Sequence, residues 1–232
     1  MKIKKTLSIA INFAVFILSF LGAFLACVFA QKDGYSAWYK RLYYFTQQSN
    51  LWVGSICLLV AIAKVNSLIE RPQKNEGALY LVKYVFTVSI TVTGIIFCTL
   101  LAPFADFDVW TFSSVITHVV VPILAIVDFF MCDNGKPLNK KCVYFALIPP
   151  LIYFVFAGTL SAFGVDFGRG DPFPYFFMNF NSEVGMFGFM MKDGLPQLGT
   201  FYWIIILFLI IFGIACLYYA LSPTRLKQKR NK

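Results

Sequence analysis

Charge is the first thing this sequence is short of. Only 13% of its 232 residues are charged, about half the roughly 25% of an ordinary soluble domain. So few ions cannot cover a solvated surface. That excludes a water-soluble domain, a coiled coil, a disordered chain and a nucleic-acid-binding domain. Histidine occurs once, and the six cysteines show no CxxC spacing, so no zinc ligand set of the usual kind is present. No polar–apolar alternation persists over about ten residues, which argues against a membrane barrel. No internal repeat is visible, so an inverted-repeat transporter has no support.

What is present is apolar. Hydrophobic residues make up 59% of the chain, with 27 Phe, 12 Tyr and 4 Trp. Such a chain has lipid for its solvent. A spanning helix needs about 20 mostly apolar residues. Six stretches qualify: 7–29, 44–64, 79–102, 113–131, 142–161 and 200–220. The expected fold class is therefore all-α, a single six-transmembrane-helix bundle over 1–232. The first stretch follows a basic start, as a signal peptide does. Its apolar run exceeds the roughly 7–15 residues of a signal core, so it reads as a retained helix.

An even number of spans places both termini on one side. Fifteen of the 20 Lys and Arg fall on that side, Lys83 counted among them, and five on the other. By the positive-inside rule both termini are cytoplasmic, which fits the plasma membrane. The net charge of +9 then reads as a topology signal and an attraction to anionic lipid heads, with no nucleic acid implied. Cys27, Cys57, Cys98 and Cys216 fall within spans, and Cys132 and Cys142 at cytoplasmic ends, so no disulfide is expected.

The one long connection is the outer segment 162–199. It carries nine phenylalanine or tyrosine residues, among them Phe167, Tyr175, Phe177 and Phe189. Such a loop folds back onto the bundle or into the interface. It reads as an aromatic belt or as a lid over an outward-facing cavity.

Polar residues inside spans are costly and mark candidate sites. The second span opens with Thr46, Gln47, Gln48, Ser49 and Asn50. Thr46, Ser49 and Asn50 share one helix face. The fourth span holds Ser114, Thr117 and His118, then Pro122 and Asp128. Pro122 has no N–H for the carbonyl of residue 118, so a kink and a free carbonyl are expected there. Thr46 lies about 3 Å and His118 about 8 Å below the start of its span, at 1.5 Å per residue. The two can meet. Asp128, about 15 Å deeper, cannot orient the imidazole as a triad acid would. It is expected to pair with a cytoplasmic lysine or to cap backbone near the inner interface. A threonine hydroxyl needs a base to become a nucleophile, and His118 is the base on offer. The residues alone also allow hydrogen-bonded structural groups, a lipid-binding or transport cavity, and a partner-binding bundle.

Tyr44-Phe45-Thr46-Gln47-Gln48-Ser49-Asn50-Leu51, His118-Val119-Val120-Val121-Pro122 continuing to Asp128, Tyr153-Phe154-Val155-Phe156-Ala157-Gly158 and Asp171-Pro172-Phe173-Pro174-Tyr175 form a pattern. It resembles the androgen-induced and androgen-dependent TFPI-regulating membrane proteins, and in particular their bacterial branch. That resemblance implies a multi-pass hydrolase of fatty acyl esters with a threonine nucleophile and a histidine, here Thr46 and His118. The expected reading is an integral membrane ester hydrolase or acyltransferase acting on a lipid-like acyl ester from the outer leaflet. No cofactor and no metal are expected. Backbone N–H groups, Gln47, Ser49 or Asn50 are candidates for oxyanion stabilisation. The alternative is a non-catalytic lipid-binding or transport protein using the same polar cavity.

Overall fold

The computed structural model describes residues 2–68, 76–105, 108–131, 138–192, 195–223 and 225–226. Of the residues weighed above, Cys132 and, among the counted basic residues, Arg71, Lys74, Lys136, Lys227, Lys229, Arg230 and Lys232 lie outside the described residues.

Six helices are long and apolar enough to cross a membrane. They are α1 (Lys2–Val28), α2 (Phe45–Leu68), α3 (Gly77–Phe104), α4 (Phe112–Met131), α5 (Cys142–Ala162) and α6 (Thr200–Leu221). Their positions match the six apolar stretches, and the chain has the make-up of a multi-pass membrane protein. A two-stranded hairpin lies in the loop between α5 and α6. It pairs β1 (Phe189–Lys192) antiparallel with β2 (Leu195–Leu198), Phe189 opposite Leu198.

The helices pack by an inside-out version of the soluble pattern. On α1 the buried positions are Ser8, Asn12, Val15, Ser19, Ala23 and Ala26, at helical spacing, while Ile17, Phe20 and Phe24 are exposed. Between lipid-facing helices there is no hydrophobic gain from burial, so small and polar residues make the contacts. Gly54 of α2 faces Ser19, whose Cβ would lie 2.9 Å from an added methyl, and Gly22 of α1 faces Thr117 in the same way. Hydroxyls along α3 are satisfied locally: Thr87, Ser89, Thr91 and Thr93 each donate to the carbonyl four residues back.

One buried ion pair crosses the bundle. Lys83 of α3 meets Asp128 of α4, with side chains 0% and 1% exposed. Ser8 Oγ donates to the same carboxylate at 2.5 Å, and Asn12 Nδ2 at 2.8 Å. Lys83 also donates to Asn12 Oδ1 at 2.9 Å, and Lys64 to Ser8. The lysine counted with the charges outside the bundle is therefore enclosed within it. The reason is physical: neither charge is tolerable alone in this apolar interior, and together they are neutral and hydrogen-bonded.

The loop after α5 does fold back. Phe167, Phe177 and Met178 are buried, while Phe163, Phe187 and Phe189 stay exposed. Lys40 pairs with Asp166 at 2.5 Å, and Arg169 Nε donates to the Asp33 carbonyl at 2.9 Å. These contacts tie the loop to the segment between α1 and α2. Some burial raises the Asp166 carboxyl, but its bonds to Lys40 and to the Gly168 and Gly170 amides hold it below the usual carboxylate range. Gly168 adopts φ +145°, and a methyl there would run into the Tyr35 ring. Only glycine allows that approach.

Candidate functional site

Thr46 stands at the first turn of α2, and His118 sits within a π-helical turn of α4, Ile116–Val120. Such turns are frequent at functional sites because they rotate one residue out of register. Thr46 Oγ1 lies 3.1 Å from His118 Nε2, and both residues are buried.

The other ring nitrogen fixes the tautomer. Nδ1 is 2.9 Å from the Ser114 carbonyl, which can only accept. Thr117 Oγ1, 3.2 Å from Nδ1, gives its own proton to the Ser113 carbonyl. So Nδ1 carries the hydrogen, and Nε2 presents its lone pair to the Thr46 hydroxyl. Phe97 stacks on the imidazole with ring centroids 3.7 Å apart and planes 15° apart. That ring opens a second π turn, Phe97–Leu101, at the end of α3.

The backbone around Pro122 differs from the expected kink by one residue. In the π register the N–H missing at Pro122 is the one the Thr117 carbonyl would have taken. Asn50 Nδ2 fills that place at 3.1 Å and also bonds the Thr46 carbonyl at 2.8 Å. One amide thus ties α2 to α4. Gly94 of α3 lies against the His118 carbonyl, where an added Cβ would come within 2.8 Å, and within 3.3 Å of Pro122. Gly94→Ala should therefore push α3 from α4, destabilising the protein by about 1–3 kcal/mol. A lowered melting temperature in detergent checks this; an unchanged one would show that the backbone gives freely there.

Of the other candidates, Ser49 and Asn50 bond neighbouring groups of the bundle. Ser49 Oγ bonds the Thr46 carbonyl at 3.1 Å and Thr93 Oγ1 at 2.8 Å. Gln47 is buried with its Oε1 unpartnered. None of Gln47, Ser49 and Asn50 lines the cavity that Thr46 faces. That cavity has a volume of about 90 Å³. Its walls are Phe45 and Thr46 of α2, Thr93 and Ile96 of α3, Pro150, Tyr153 and Phe154 of α5, Ile204, Leu207 and Phe208 of α6, and Tyr175, Phe177 and Met178 of the loop. It is smaller than the roughly 300–1,000 Å³ of common ligand pockets. Asp128 is engaged by Lys83, Ser8 and Asn12 and takes no part in holding the imidazole. Among the described residues no group of three His, Cys, Asp or Glu is placed to hold a metal.

Phe97, Tyr153 and Tyr175 are site residues that no sequence motif marks. Tyr153 and Tyr175 lay in noted segments, but nothing told them from the other aromatics. No family model, no curated protein and no solved structure matches the chain.

Proposed function

We propose that the chain is an integral membrane ester hydrolase or acyltransferase that uses Thr46 as nucleophile and His118 as base. The observation that carries this is the 3.1 Å contact between Thr46 Oγ1 and an Nε2 left unprotonated by the Nδ1 bond to Ser114, on the wall of an apolar cavity. Nε2 takes the hydroxyl proton as Oγ1 attacks the acyl carbon. The tetrahedral intermediate collapses, and the imidazolium gives that proton to the leaving alkoxide. The acyl group is then an ester on Thr46. Water, deprotonated by the same nitrogen, attacks the acyl carbon, the acid leaves, and the imidazolium returns the proton to Thr46 Oγ1; an acceptor alcohol in place of water makes the protein a transferase. The backbone carbonyl of Ser114 takes the orienting place that a carboxylate holds in a triad.

The resemblance to the androgen-induced and androgen-dependent TFPI-regulating proteins supports the same pair. The excess of basic residues on the side of the termini supports a plasma membrane orientation with both ends cytoplasmic. Thr46 then lies toward the outer leaflet, and a lipid-like acyl ester reaches it laterally past the α5 and α6 wall.

The test is turnover of p-nitrophenyl esters of increasing chain length by the purified protein in detergent. The expected result is hydrolysis that Thr46→Ala abolishes. No turnover of any ester, with a phospholipid or free fatty acid bound instead, would replace the enzyme with a lipid-binding or transport protein.

A further inference from the structure

Acyl transfer puts negative charge on the carbonyl oxygen, and a hydrolase must meet that charge with fixed donors. Two phenols of the cavity wall are placed to do so. Tyr153 of α5 is 5% exposed and its hydroxyl makes no hydrogen bond. Buried hydroxyls are normally partnered. One left open beside a cavity has a proton to give to whatever occupies it. Tyr175 comes from the loop after α5. It lines the same cavity as Phe45, Thr46 and Tyr153, and the two phenol rings lie 6.3 Å apart.

The start of α2 borders the same cavity. Phe45 and Thr46 are its first residues, so their N–H groups have no carbonyl within the helix, and the positive end of the helix dipole points at the same spot. Burial pushes the Tyr175 hydroxyl up to about 12, with Thr46 partly offsetting it, so this phenol keeps its proton at neutral pH.

We propose, building on the hydrolase reading, that Tyr153, Tyr175 and the N-terminus of α2 form the oxyanion site for the ester attacked by Thr46. The two phenols donate to the carbonyl oxygen as Oγ1 bonds to the acyl carbon. One donor comes from a membrane helix and the other from the folded-back loop. The loop therefore completes the catalytic constellation when it lies over the cavity, and lifting it to admit substrate withdraws a donor.

Tyr153→Phe and Tyr175→Phe remove only the hydroxyls. Both are assayed in detergent with p-nitrophenyl octanoate and its thionoester, beside wild type and Thr46→Ala. Each Phe variant should lose about 10²–10³-fold in kcat, with KM moving less than about threefold. The preference for ester over thionoester should also shrink, because sulfur accepts hydrogen bonds poorly and the donors that enforce the preference are gone. That preference is a ratio within one protein, so it does not depend on how much of a variant is folded. An unchanged preference together with kcat within about threefold of wild type overturns the oxyanion assignment and leaves the hydrolase reading standing. Absence of any Thr46-dependent turnover in wild type sinks the hydrolase reading, and this assignment with it.

Discussion

Thr46→Ala and His118→Gln should each lower kcat/KM for an acyl ester by about 10³–10⁴-fold or more, as loss of a nucleophile or its base does elsewhere. The double variant should be no worse than either single one, because the two groups act as a unit. Thr46→Ser keeps an oxygen near Nε2 and should retain measurable activity. His118→Gln keeps a polar side chain in the buried site, so the fold should survive the change. Asn50→Ala makes a useful contrast. It removes the amide that bonds both the Thr46 and Thr117 carbonyls, so it should lower stability and activity together.

The second large effect concerns stability. Asp128→Asn and Lys83→Met should each destabilise the protein by about 3–5 kcal/mol, because each leaves the opposite charge buried without its counterion. Lys83→Met combined with Asp128→Leu should recover much of the loss, since replacing both charges removes the desolvation cost along with the attraction. Melting of the four proteins in one detergent checks this. Single variants that melt like wild type would show that the pair contributes nothing. A double variant worse than both singles would give Asp128 a role beyond neutralising Lys83, through Ser8 and Asn12.

The bundle was legible because six long apolar runs have few other ways to exist. The Thr46–His118 contact was legible in part. Depth along two helices entering from the same side placed both residues at a similar level, but depth says nothing of rotation about the axis. The rotation here comes from the π turn over Ile116–Val120, for which Pro122 is the only local sign and one that points a residue away. Phe97 was hidden for a different reason. Among 27 phenylalanines nothing marks the one that stacks on the histidine. Lys83 looked like an end-of-helix charge, and only the meeting of α1, α3 and α4 shows that it belongs to Asp128. Gln47, Ser49 and Asn50 share the polar start of α2 with Thr46, so pattern alone could not separate the residue facing the cavity from those that brace it.

Activation of Thr46 by His118 is tested by treating the purified protein with a fluorophosphonate and locating the adduct by peptide mass mapping. One adduct is expected, on Thr46 Oγ1, absent from Thr46→Ala and strongly reduced in His118→Gln. A folded wild-type protein that takes up no label, or takes it up at a residue other than Thr46, would contradict it.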